Sequence, residues 1–414
     1  ATCAAPCCGS SCVRLHKMHA AGELPELKWF ASKSLALPLL RGDEQLLSQI
    51  ATLPSHLRRS VLWFLVRTGQ PHRDDGFCLT DDMLVGLVRG LTDVNLGDVD
   101  FLGGVTSFEL VRICCPELTV LNMCRWQRRD ALSALASGHT KLRAINLARC
   151  AGSLSDAHIL EISRHSPLLE SVDFSHNELV TDEGLFSLSS NCKYLQAVHL
   201  NCCFRITDVG LSSLLIATQR KVGSDDSNTA RSQLRELGIK RLVDIEKALN
   251  VLLFASEDTG PGIPHIQKVN AKSLSNVPAD TWTQLLAPCM HTVLELKLGE
   301  TAVDFAAIVE QSSNDEDTYD LRVLDLSWNE EVDEDSVCQV VEQSPRLETL
   351  KLRACESLGT RVVSAAALSC PKLRKLNVAR CNHVSDRAVL ALAQHCPGLR
   401  DVNVAWSDCG VTGA

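Results

Sequence analysis

The sequence has no apolar run of about 18 residues or more, so no membrane-spanning helix is expected. It also lacks a surplus of positive charge. The net charge of −9 argues against nonspecific nucleic-acid binding, which needs a basic surface. The motifs of common catalytic sites are missing: G-x-S-x-G, a P-loop, a Gly-rich dinucleotide loop and H-E-x-x-H. The 13 histidines are scattered, and the acidic run at 314–320 lacks calcium-loop spacing. An enzyme therefore has no support in the sequence, and no cofactor is expected. Aromatic residues are few, 4% with only 2 Tyr, as expected where Leu, Val, Ala and Cys fill narrow layers.

What the sequence does contain is a recurring phrase. Leu373-Arg-Lys-Leu376-Asn-Val378-Ala-Arg-Cys381 returns 26 residues later as Leu399-Arg-Asp-Val402-Asn-Val404-Ala-Trp-Ser407. Earlier copies start at Leu142, Leu169, Leu195, Leu321 and Leu347. Weaker copies place anchors at Leu91, Leu118, Leu234, Ile266 and Leu294, which makes about 12 repeats. Two long steps coincide with polar insertions near 219–232 and 256–265, expected as surface loops because they lack apolar periodicity.

The first half of each phrase alternates apolar and polar residues, which predicts a short strand. Positions 1, 4 and 6 are expected to point into the core, with Asn or Cys at position 9 turning inward beside neighbouring loops. The second half predicts a helix: Ser385-Asp386 offers a cap, and apolar residues follow at helical spacing. Pro116, Pro167, Pro345, Pro371 and Pro397 stop the helix before the next strand. The expected fold class is α/β: a solenoid with parallel strands on a concave face and helices on a convex face.

The compound phrase Cys370-Pro371 through Val389 resembles the cysteine-containing leucine-rich repeat. That subclass is typical of F-box/leucine-rich-repeat proteins and of the antagonist-of-mitotic-exit-network family. The resemblance covers residues 80–414 and implies a horseshoe that binds other proteins.

The 19 cysteines mostly find places within the repeat. Cys150, Cys203, Cys355 and Cys381 occupy position 9, while Cys115, Cys192, Cys370 and Cys396 fall at helix ends. Free thiols in a core suggest a reducing compartment, the cytosol or nucleus. The chain opens without Met and ends at Gly410-Val411-Thr412-Gly413-Ala414, which is similar to another helix start. A fragment of a longer protein is expected.

Residues before Thr80 do not fit the repeat. In a Cys-rich tail over 1–22, Cys3, Cys7, Cys8 and Cys12 lie near His16 and His19. Zinc, lipidated or redox-active cysteines and a flexible tail all remain open, although no second knuckle completes a zinc site. Over 23–79, Leu53-Pro54 starts a helix whose Leu57, Val61, Leu62 and Leu65 share one face. This stretch resembles the opening of an F-box and the end of a SOCS/VHL-type box. That resemblance implies a docking helix for an adaptor of a cullin-RING ubiquitin ligase. The later half of an F-box is missing, so a plain helical cap over the first repeat is the other reading.

Positions 3, 5, 7 and 8 are expected to project from the concave face. They nominate Arg125, Arg149, His176, Trp328, Lys351, Arg353, Arg380 and Trp406 as a protein-binding surface. Trp beside Arg is the composition of an interface hot spot. The basic residues point to a partner with acidic or carboxylate groups, and a phosphorylated segment also fits Arg clusters.

Overall fold

The computed structural model describes residues 49–68, 81–97, 109–126, 140–150, 152–221, 230–232, 234–242, 245–253, 266–312, 318–381 and 384–406. The Cys-rich tail and the 256–265 insertion lie outside these residues. The chain divides into two compact units, residues 1–154 and 155–414.

The first unit carries α1 (Ser55–Thr68), α2 (Asp81–Val88) and α3 (Glu109–Cys114). Its strands β1 (Asp93–Asn95), β2 (Val120–Asn122) and β3 (Ala144–Asn146) pair in parallel. Helix α1 packs on α2 and β1. Val61, Leu62 and Leu65 are its buried face. The Arg58 guanidinium donates to the carbonyl of Arg89 at 2.7 Å and to that of Leu87 at 3.3 Å, satisfying the open end of α2. Arg59 forms an ion pair with Asp93 on β1.

In the second unit, nine strands form one parallel sheet in the order β4-β5-β8-β9-β10-β11-β12-β13-β14. These are Ser171–Asp173, Ala197–His199, Glu236–Gly238, Lys268–Asn270, Glu295–Lys297, Val323–Asp325, Thr349–Lys351, Lys375–Asn377 and Asp401–Asn403. A helix follows nearly every strand: α4 (Asp156–His165) precedes β4, and α5 (Asp182–Asn191), α6 (Asp208–Ala217), α7 (Glu246–Leu253), α8 (Ala279–Leu286), α9 (Phe305–Ser312), α10 (Glu334–Glu342), α11 (Thr360–Ser369) and α12 (Asp386–His395) follow in turn. The ends of the first insertion are not plain loop. Strands β6 (Gln219–Lys221) and β7 (Ala230–Ser232) pair as an antiparallel ribbon.

Each repeat contributes only three strand residues, positions 3 to 5. Position 4 is inward, with Leu324, Leu350 and Leu376 aligned by register and buried. Removing such an anchor costs about 2–5 kcal/mol through lost burial and the cavity left behind. One anchor differs from expectation. Leu296 pairs with Leu324 and Val269, so the anchor of that repeat is Val293, fully buried, and not Leu294. Val293, Leu296 and Leu298 fit positions 1, 4 and 6, whereas an anchor at Leu294 puts Lys297 and Gly299 at the inward positions 4 and 6, and pairing with both neighbours agrees.

Two ladders join successive repeats. At position 9, Cys203 Sγ donates to the Phe174 carbonyl at 3.2 Å, Cys355 Sγ to Leu326 at 3.2 Å and Cys381 Sγ to Leu352 at 2.9 Å. Asn329 does more: its Nδ2 donates to the carbonyls of Leu298 and Leu326 at 2.8 and 3.0 Å. These carbonyls sit where the strand has ended, and the side-chain donors help to satisfy them beside local donors such as Cys355 N–H on Leu352 and Asn177 Nδ2 on Phe174. At the helix ends, Cys192, Cys370 and Cys396 take the cap position, with their thiols turned to carbonyls of the preceding repeat.

The second ladder explains the Thr-Asp pair of the repeat. Asp156 accepts from the backbone N–H and the hydroxyl of Thr181, at 2.9 and 2.7 Å. Asp182 treats Thr207 in the same way at 2.8 and 2.6 Å. A Cβ at Gly210 would fall 2.3 Å from Asp182 Oδ1, so the aspartate occupies the space that a side chain there would need.

Candidate functional site

The residues nominated at position 8 do not come from strands. Arg125, Arg149, His176, Cys202, Trp328, Ala354, Arg380 and Trp406 all have φ between 55° and 66°. They form the left-handed turn that leaves the strand. None is glycine, and the conformation is held by the neighbouring repeat. The N–H of Arg125 donates to Ala148 O, that of His176 to Asn201 O and that of Trp328 to Arg353 O, each at 2.7 Å. Arg380 N–H donates to Ala405 O at 2.9 Å. The turn places position 8 just beyond the strand, while positions 3 and 5 lie on the strand on either side of the buried position 4.

In the second unit this brings three nominated residues together. The Arg353 guanidinium carbon lies 5.3 Å from the Trp328 ring centroid, and that of Arg380 lies 5.6 Å from the same centroid. Both are cation–π distances. Trp328 remains 47% exposed, and both arginines are exposed. Neither arginine has a carboxylate partner among the described residues.

Lys351 is near this group but is differently engaged. Its Nζ lies 3.9 Å from Asp325, a buried carboxylate that also holds Lys272 at 2.5 Å. Partial burial holds the Lys351 ammonium below its ordinary value. Asp325 opposes that shift, and the ammoniums of Lys272, Lys297 and Lys375 reinforce it.

Trp406 is not part of the cluster. It lies in the turn after β14, three strands from β11, with 85% of its surface exposed. His176 sits partly buried in the turn after β4. Arg125 and Arg149 belong to the first unit, in successive turns, and are partly buried. Among the helix residues nominated for docking, Val61, Leu62 and Leu65 are buried, Leu53 and Leu57 are partly covered, and Pro54 is exposed.

Sequence reasoning missed a charge chain on the sheet face. His199 Nε2 lies 3.5 Å from Glu236, Lys268 lies 3.7 Å from Glu236 and 3.1 Å from Glu295, and Lys297 lies 3.0 Å from Glu295. Burial pushes the Glu295 carboxyl up, but Lys297 and Lys268 together outweigh it and hold it below the ordinary value. With the anchor placed at Leu294, Glu295 and Lys297 fall at positions 2 and 4. The true register puts them at positions 3 and 5, on the outer face.

Among the described residues, no group of three or more His, Cys, Asp or Glu side chains is placed to hold a metal ion. No helix among them is long and apolar enough to cross a membrane.

The family description "Leucine Rich repeat" matches residues 165–189, 191–215 and 369–393. A chain in the crystal structure of the Rad7 and Elc1 complex in yeast is similar in fold. Its TM-score is 0.59 at 18% identity, over 94% of this chain and 88% of that chain. The leucine-rich repeat-containing protein LegL7 from Legionella pneumophila aligns over 68% of this chain and 89% of its own, at 13% identity and a TM-score of 0.36. The chain carries leucine-rich repeats and folds as an α/β leucine-rich-repeat solenoid.

Proposed function

We propose that this chain is a non-enzymatic protein-interaction module whose Trp328, Arg353 and Arg380 rim, with Lys351 beside it, holds an acidic protein partner. The observation that carries this reading is the exposed Trp328 ring flanked by two arginines that lack carboxylate partners among the described residues. The likeness to a yeast chain solved in a complex of Rad7 and Elc1 supports a role in binding other proteins.

In its finer form, the chain is a substrate-recognition adaptor of a cullin-RING ubiquitin ligase. The segment around α1 docks the ligase core, and the rim holds the substrate. With Val61, Leu62 and Leu65 buried, docking falls to Leu53, Pro54 and Leu57. Pull-down of ligase adaptors with the native chain and with a Leu53→Asp/Leu57→Asp variant tests it. Adaptor capture that the variant abolishes is expected, and the absence of any adaptor from the native chain overturns it.

The burial of those three residues against the chain's own fold favours a second reading. In that reading α1 is only a cap, and the chain is a scaffold subunit of a stable complex. It predicts co-purification with fixed stoichiometric partners and no change in any protein's half-life on depletion.

A further inference from the structure

We infer that the anion seated at Trp328 is a phosphate monoester on a partner protein, so that phosphorylation of the partner gates its binding. This rests on the reading that the rim binds an acidic partner, and it names the chemistry of the group recognised.

The first argument is charge. Arg353 and Arg380 reach one ring from two successive repeats, at 5.3 and 5.6 Å from its centroid. Neither has an acidic partner among the described residues. The Lys375 side chain is exposed in the strand between them and makes no ion pair among those residues. Asp325, the buried carboxylate nearby, is already shared by Lys272 and Lys351. Burial is the main cause that lowers the proton affinity of Lys351; Asp325 opposes it, and the ammoniums of Lys272, Lys297 and Lys375 add to the lowering. A single carboxylate brings one negative charge to these cations. A phosphate monoester brings between one and two, with three acceptor oxygens.

The second argument is geometry. Guanidinium groups bind tetrahedral anions through paired N–H donors. Contact with the Trp328 ring limits the freedom of both arginines before any partner arrives, so less ordering entropy is lost on binding. The turn that carries Trp328 is itself fixed by its N–H bond to the Arg353 carbonyl.

The third argument separates a phosphorylated protein from a nucleic acid. A nucleic acid presents a run of phosphates and needs a basic track. Here Glu330 and Glu331 directly follow the Trp328 turn and are exposed, and Asp401 is exposed on β14. The positive surface is a spot that fits one doubly charged group.

The test uses the full chain and peptide pools with degenerate flanks around one fixed residue: phosphothreonine, threonine or glutamate. A fourth pool ends in a free C-terminal carboxylate, and a fluorescent uridine oligonucleotide serves as the nucleic-acid probe. At least a tenfold preference for the phosphothreonine pool is expected. The Arg353→Ala/Arg380→Ala variant should lose it, and Arg353→Lys/Arg380→Lys should recover only part. Equal capture of the glutamate or carboxylate pool, lost in the Ala variant, overturns the phosphate inference but keeps the acidic-partner reading. Capture of no pool in an Arg-dependent way overturns both. Arg-dependent binding of the oligonucleotide at least as tight as that of the phosphothreonine pool also overturns the inference. Thermal unfolding of each variant at the native midpoint shows that the substitutions act on the surface alone.

Discussion

Trp328 and Arg353 are joined twice: the Trp328 N–H donates to the Arg353 carbonyl at 2.7 Å, and the Arg353 guanidinium lies 5.3 Å from the Trp328 ring. The first contact belongs to the repeat and recurs along the chain with different residues. The second is particular to this place. The scaffold thus fixes the backbone of a binding spot, and the variable residues supply its chemistry.

The left-handed turn at position 8 should show in mutants. Ala354 has φ 55° and is buried. Ala354→Gly removes steric strain of about 1 kcal/mol but adds a similar entropy loss on folding, so little net change is expected. Ala354→Val, branched at Cβ, is expected to destabilise by about 2 kcal/mol or more. Urea unfolding midpoints of the two variants measure the contrast, and equal midpoints would contradict the strain argument.

Asn329 serves three buried backbone groups: the carbonyls of Leu298 and Leu326, and the Thr301 N–H at 2.9 Å. Asn329→Ala leaves the Thr301 N–H unpaired, while Cys355 Sγ and Thr301 Oγ1 still donate to the Leu326 and Leu298 carbonyls, and should cost about 1–3 kcal/mol. Asn329→Cys should lose less, because Cys355 and Cys381 show that a thiol can donate from this slot. The check is a shift in denaturant midpoint with unchanged slope.

Asp182→Ala removes two charge-assisted bonds to Thr207 and is expected to cost about 1–2 kcal/mol, with Asp182→Asn costing less because one acceptor oxygen remains. Gly210→Ala should also destabilise, since its Cβ would meet Asp182 Oδ1 at 2.3 Å and Cα at 2.7 Å. Calorimetric unfolding of the three variants gives the order.

The buried thiols make stability depend on alkaline pH. Burial pushes Cys192, Cys203, Cys289, Cys355 and Cys370 up to about 12 from the ordinary 9.0. Above pH 9 an unfolded chain releases these protons while the folded chain keeps them. Stability is therefore full below pH 9 and falls as pH rises toward 12, by about 1.4 kcal/mol per pH unit for each such thiol. Unfolding midpoints between pH 8 and 10.5 should drop, and replacing Cys289 by Ala should lessen the slope. Alkylation by iodoacetamide at pH 8, read by mass spectrometry, should spare these five cysteines until the chain unfolds.

Much of the architecture was legible in one strand of text. L-x-x-L-x-L forces alternate residues inward, the Thr-Asp pair marks a helix start, and Cys or Asn at position 9 marks a small buried donor. The charge chain from His199 to Lys297 was missed, because anchoring that repeat at Leu294 put Lys297 at an inward position, although Val293, Leu296 and Leu298 fit the phrase better, and because its ion pairs join different repeats. Nor was the turn at position 8 legible, because nothing in Arg, His, Trp or Ala signals a positive φ. That conformation is stabilised by a carbonyl about 23–38 residues away, a separation set by the repeat.

The sequence by itself determined the repeat, its strand and helix halves and the inward leucines, because these follow from periodic burial within a short window. Only the tertiary structure decided the left-handed rim and the meeting of Trp328 with Arg353 and Arg380. Those depend on how one repeat pairs with the next, and residues 25 to 52 positions apart in the chain become neighbours only when the strands align.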